Sequence, residues 1–220
     1  MSIMKKTSSC VMIVVVALIF SSCQTAYYGA MEKIGIHKRD ILVDRVKGAR
    51  DSQDDAKEQF KTALEQFSEV IDFDGGDLEK KYNKLNRSYE KSETAAAEVH
   101  ERIDKIDSVA KTLFKEWTGE LRQYTSPQLR KESQRQLNET KRKYEELMIT
   151  MQAAAEKMDP VLAVFRDQVL FLKHNLNSRA IASIQTEARD VEKQIAILIR
   201  DMEASIAEAD AFIRELAVER

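Results

Sequence analysis

Cysteine, proline and glycine are all scarce in this chain, with two Cys, two Pro and six Gly in 220 residues. So few cysteines exclude a disulfide framework, and stability must come from packing alone. So few helix breakers leave room for long uninterrupted helices. Aromatics are only 7% of the residues, with one Trp. No charge sign dominates either: 35 Lys and Arg stand against 37 Asp and Glu, a net charge of −2. That balance is no basic footprint for nucleic acid or for anionic lipid headgroups, so a nucleic-acid partner is not expected. Long apolar runs are missing as well. The longest, Val11–Phe20, is ten residues, half of the roughly 20 that a membrane-crossing helix needs. Chemistry-bearing motifs are absent in the same way: there is no HExxH, no zinc-type Cys/His cluster, no phosphate loop and no Gly-x-Ser-x-Gly.

What is present begins at the N-terminus. Lys5 and Lys6 precede the apolar run, which exits through Ser21 and Ser22 to Cys23. A basic start, a short apolar core and a small-residue exit describe a secretory signal peptide. Phe20-Ser21-Ser22-Cys23 resembles the lipobox of bacterial lipoproteins. That resemblance implies a diacylglycerol on the Cys23 sulfur, cleavage before it and acylation of the new amine. An uncleaved membrane span with an incidental cysteine is the alternative, and its apolar core is too short. Cys10 leaves with the signal, so the mature chain has no free thiol. Loss of Lys5 and Lys6 takes the net charge from −2 to −4.

Beyond residue 37 the chain is rich in Ala, Glu, Lys, Leu and Arg, the bias of long helices and coiled coils. Val46, Ala49, Ala56, Phe60, Ala63, Phe67 and Val70 recur at steps of three and four, with Gln53 as the polar exception in the stripe. Glycines at 75 and 76 permit positive φ at a turn, and Asp77 can cap the next helix. That helix repeats without a slip from Leu78 through Leu85, Ser92, Val99, Ile106 and Leu113 to Trp117, the rhythm of coiled-coil packing. Ser126 and Pro127 restart the chain as cap and first helical residue. The third helix carries Leu137, Tyr144, Met151, Met158 and Phe165, and Pro160 predicts a kink or break within it. Pro160 to Leu172 is apolar on several faces, which predicts that other helices surround it. Asn177 or Ser178 caps a last helix that repeats from Ile181 to Leu216. No strand-like alternation appears. The fold expected is all-α: an elongated antiparallel helical bundle or coiled coil of about four long helices. Residues 1–22 read as signal peptide, 23–37 as lipidated tether and interfacial segment, and 38–220 as the bundle. Helices two and three, at about 1.5 Å per residue, reach roughly 70–75 Å, so either Ala26–Ile36 is partly helical and restores the match with helix one, or the two protrude as a bare hairpin. Tyr27 and Tyr28 suit either a membrane interface or the end of the bundle.

Each histidine fails a test for chemistry. A di-iron bundle needs Glu-x-x-His, but Ile34, Ala97 and Phe171 stand three residues before His37, His100 and His174. His100 and Asp104 lie one turn apart, with no second ligand pair to complete a metal site. His174 beside Asn175 and Asn177 reads as part of a turn, and Trp117 on the core stripe as packing. No catalytic, cofactor-binding or metal residue is assigned, so no cofactor and no enzymatic activity are expected.

Several stretches together resemble one bacterial family. They are Tyr27-Tyr28-Gly29-Ala30-Met31-Glu32-Lys33, His37-Lys38-Arg39-Asp40-Ile41-Leu42, Phe73-Asp74-Gly75-Gly76-Asp77-Leu78, Lys157-Met158-Asp159-Pro160-Val161-Leu162, Leu172-Lys173-His174-Asn175-Leu176-Asn177 and Met202-Glu203-Ala204-Ser205-Ile206. The family is domain of unknown function 2959, found in Gram-negative lipoproteins, and the resemblance covers essentially the whole chain. It implies a Gram-negative envelope and supplies no activity. In such cells Asp after the lipidated cysteine favours the inner membrane; Gln24 stands there, so the outer membrane is expected. The expected function is a non-enzymatic outer-membrane lipoprotein, a periplasm-facing coiled-coil scaffold or spacer. Its partners are the membrane through Cys23, an envelope protein not identified by the sequence, and possible further copies of itself. The alternative is a bundle binding an apolar ligand near residues 160–172. An enclosed apolar cavity beside Phe165 and Phe171 favours the ligand; a dense interior with an exposed apolar patch favours the scaffold.

Overall fold

The computed structural model describes residues 37–218. Five helices follow one another: α1 (Lys38–Ile71), α2 (Leu78–Glu120), α3 (Pro127–Glu156), α4 (Met158–His174) and α5 (Ser178–Val218). Among the described residues there is no strand. The expected third helix is two, because α3 stops at Glu156 and α4 starts at Met158. Pro160 has no N–H to give the Glu156 carbonyl, so the ladder opens at that point. Lys157 between them keeps helical dihedrals, φ −78° and ψ −15°. The break is therefore a single turn inside one continuing rod.

The turns are built by the residues that the sequence offers for them. Gly75 and Gly76 take φ of 140° and 98°, a region that side chains with a Cβ avoid. Asp77 accepts from the Lys80 amide at 2.9 Å and starts α2. Ser126 accepts from the Leu129 amide at 3.4 Å, with Pro127 in the first turn of α3. Asn177, rather than Ser178, caps α5 by accepting from the Arg179 and Ala180 amides, each at 3.0 Å.

Cross-helix bonds set the register. Lys38 pairs with Glu116 at 2.6 Å and Lys81 reaches the Glu69 carbonyl at 3.0 Å, so α1 and α2 run antiparallel from end to end. Trp117 donates to Ser133 at 2.8 Å and Tyr144 to Asp107 at 3.0 Å, which joins α2 to α3. Lys143 meets Glu215 at 2.8 Å, joining α3 to α5, and Lys157 meets Asp201. Arg50 meets Asp210 at 2.7 Å and closes the ring from α5 back to α1. The result is an up-down-up-down bundle with the α3–α4 rod diagonal to α1.

The stripe read from the sequence is the core. Val46, Ala49, Ala56, Phe60, Ala63, Phe67 and Val70 are fully buried. Phe165 of α4 meets Phe67 edge to face, with ring centroids 5.7 Å apart. Ala96, Ala154 and Ala155 are buried in the same core, and these small residues let α2 and the α3–α4 rod approach closely. Gln53, also fully buried, finds its partners across the bundle. Its Oε1 accepts from Ser205 Oγ at 2.8 Å and its Nε2 donates to the Met151 carbonyl at 3.4 Å. A slide of any helix by one heptad leaves these groups buried and unpaired, a cost of about 1–3 kcal/mol each. One polar layer thus fixes the alignment of three helices.

The helices do not end together. α1 stops at Ile71, whose carbonyl accepts from Gln185 at 2.8 Å. The first turns of α5 and the last turn of α4 continue beyond that level. At the opposite end α2 runs on past Glu116 and returns through α3, beyond the last described residues of α1 and α5. Among the described residues, each end of the bundle is therefore a two-helix hairpin on a four-helix middle.

Candidate functional site

The α4–α5 end departs from what the sequence predicts. The apolar segment from Pro160 to Leu172 is expected to be enclosed, and its inner face is: Val161, Leu162, Phe165, Val169 and Leu172 are buried. Leu170 and Phe171, however, are 50% and 41% exposed, and Leu176 in the following turn is 37% exposed. The physical reason is helical phase: Leu170 and Phe171 lie on the side of α4 turned away from Phe165, Val169 and Leu172, and no described helix covers that side. Beside it runs a groove of about 330 Å³ lined by Asp167, Gln168, Phe171, Ser183, Ile184 and Glu187. Buried Gln168 spans its floor and donates to Glu187 at 2.7 Å. Asn175 closes the helix end by donating to the Phe171 carbonyl at 3.0 Å. Carboxylates on both walls would have to be desolvated by an apolar ligand, and that costs more than such a ligand returns. The site presents apolar side chains with an acidic margin, and it suits a surface contact.

The other residues singled out by the sequence are dispersed. Cys23, Tyr27 and Tyr28 lie outside the described residues. His37 caps the start of α1 without a side-chain bond. The carboxylate facing His100 is not Asp104 but Asp159, with Oδ1 3.7 Å from Nε2, at the α3–α4 break. His174 is exposed, while Asn175 and Asn177 make the turn bonds. Trp117 packs between α2 and α3 with its N–H satisfied by Ser133. Among the described residues no group of three or more His, Cys, Asp or Glu could hold a metal ion. No described helix is long and apolar enough to cross a membrane.

The electrostatics are those of a bundle held by side-to-side pairs. The Lys157 ammonium holds the Asp201 carboxyl below its ordinary value, tying the break to α5. Burial, with the Glu93 carboxylate 2.6 Å away, pushes the Tyr89 phenol up to about 12. Burial, then Asp107, pushes Tyr144 up as well. Unfolded phenols ionise near 10, so above that pH the unfolded chain releases protons that the folded chain retains. This stability is fully present below pH ~10 and is lost as pH rises through the folded values. The urea midpoint is expected to fall between about pH 9 and about pH 11, and to fall less when Tyr89 and Tyr144 are both replaced by Phe. An equal fall in that double variant would remove the tyrosines from the account.

With this geometry in place, comparison with known proteins gives one match. The model of a family described as protein of unknown function (DUF2959) matches residues 27–216. Neither curated proteins nor solved structures give a match.

Proposed function

The chain belongs to the DUF2959 family, and from that premise we propose that it is a lipid-anchored helical spacer of the Gram-negative envelope. Cys23, acylated, holds it to the outer membrane; the bundle faces the periplasm and works by protein contact, without catalysis. The observation that carries this reading is the exposed Leu170–Phe171–Leu176 cluster at the end opposite the start of α1. Exposed apolar side chains also occur at Tyr124, Leu129, Ile149 and Ile197, but here three fall within seven residues, and such a grouping marks an interaction surface. The rod separates that cluster from the anchor: residues 127–174 of α3 and α4, at about 1.5 Å per residue, span roughly 70 Å. An interior filled by Phe60, Phe67 and Phe165 supports contact at the surface over a ligand held inside.

A photo-crosslinking residue placed at Leu176 in living cells tests it. Discrete adducts are expected, lost when Leu170→Asp and Phe171→Asp are combined, while a probe at exposed Gln134 gives none of them. Equal labelling from both positions would refute a partner at the far end.

A further inference from the structure

The α2–α3 turn carries a second exposed patch, with a different character. Tyr124 is 41% and Leu129 60% exposed. Around them Arg122, Arg130 and Lys131 are exposed, and none forms an ion pair with another described residue. No acidic residue lies between Leu121 and Lys131; Glu116 and Glu132 are engaged with Lys38 and Arg135, and exposed Glu120 stands just before the turn. Over residues 120–131 one carboxylate thus stands against three cations, a tip of net charge +2 that the chain's overall −2 conceals. Ser126 and Pro127 also start α3 here, so the positive end of a 30-residue helix faces the same way.

We propose that this tip rests on a phospholipid surface carrying anionic headgroups, next to the lipid anchor. The inference rests on the anchored reading above. Its geometry follows from where the chain enters the bundle. His37 lies beside Glu116, Trp117 and Glu120, at the same end as the tip. From Glu116 to its end at Glu120, α2 advances a further 6 Å or so, at about 1.5 Å per residue, before the turn that carries Tyr124. Cys23 precedes His37 by 14 residues, a contour of up to about 50 Å, so the anchor lets the tip reach the bilayer. The side chains match that surface. Arginine and lysine meet lipid phosphates, tyrosine seats its ring at headgroup level, and leucine enters the acyl boundary. Each unit of net positive charge contributes roughly fivefold to the attraction, so two give about twenty-five-fold. Two attachments, lipid and tip, also fix the rod's direction relative to the membrane, which one flexible tether does not.

The test uses the acylated chain purified from membranes and reconstituted into vesicles of phosphatidylethanolamine and phosphatidylglycerol. A spin label is placed through Thr125→Cys at the turn, or through Leu176→Cys at the far end. The Thr125 label is expected to lose access to a water-soluble relaxant and gain access to oxygen, while the Leu176 label stays aqueous. Arg122→Gln, Arg130→Gln and Lys131→Gln together, or vesicles of phosphatidylcholine alone, should return the Thr125 label to water. A chain that is attached to the vesicles with its Thr125 label aqueous overturns the tip and leaves the anchor standing. A label shielded only in whole envelope fractions assigns the tip to a protein and overturns it too. A chain with no lipid on Cys23 by mass overturns the anchor and, with it, this proposal.

Discussion

Cells carrying Cys23→Ser are expected to lose the protein from the outer-membrane fraction entirely. Fed labelled palmitate marks the wild-type chain and not the variant, and the variant accumulates as a precursor that retains residues 1–22. The effect is all-or-none because the sulfur is the point of attachment, and no hydroxyl of serine substitutes for it in thioether formation. One acyl chain gives only marginal, reversible binding, whereas a diacylglycerol plus an amide-linked chain gives stable anchoring. No described helix is long and apolar enough to cross the bilayer. Variant protein that fractionates and labels like wild type would end the anchored reading, together with the assignment of near and far ends in the envelope.

The largest loss of stability is expected from Phe165→Ala. The ring is 1% exposed and packs edge to face on Phe67, itself fully buried. Removing it deletes the transfer free energy of the ring and leaves a cavity on the diagonal of the bundle, at a cost of about 3–5 kcal/mol. Against a domain stability of roughly 5–15 kcal/mol, that is a large share. Phe171→Ala serves as the internal control, because its ring is 41% exposed in the uncovered last turn of α4. Its expected cost is within about 0.5 kcal/mol, the range of surface substitutions. Urea unfolding followed by far-ultraviolet circular dichroism measures both. Equal losses would mean that the α4 face has been assigned the wrong way round.

These two phenylalanines also mark the boundary of what the sequence could convey. The period of three and four from Val46 to Val70 is a local property, and every apolar member of it is buried. Asp77, Ser126 and Pro127 announce their turns by chemistry within a few residues. Pro160 announces a break because the missing N–H is its own. Exposure of Leu170 and Phe171 is different in kind, since it depends on which side of α4 the other helices cover, and that emerges only from the fold. Gln53 is visible as an exception, but its partners Ser205 and the Met151 carbonyl emerge only with the register of α3 and α5. The cationic tip is hidden for a related reason, because only the fold shows that Glu116 and Glu132 are spent on Lys38 and Arg135. The anchor proposed at Cys23 is read from the sequence alone, and Cys23 lies outside the described residues.

The up-down-up-down path has a kinetic consequence. On the proposed reading the chain reaches its compartment unfolded, where exposed apolar stripes invite aggregation. Here α1 meets α2 across a six-residue turn, α2 meets α3 across another, and α4 meets α5 across three residues. Many native contacts can therefore form between neighbours in the chain, while α1 on α5, Phe67 on Phe165, Gln53 on Met151 and Lys143 on Glu215 wait for distant segments. Helical bundles, rich in local contacts, are among the fastest folders, on the order of microseconds to milliseconds. With no cysteine among the described residues and only Pro127 and Pro160 in the chain, slow isomerisation steps are few. The molecule is suited to assembling itself as it emerges, with the buried Gln53 layer closing last to select the aligned bundle from its slipped neighbours.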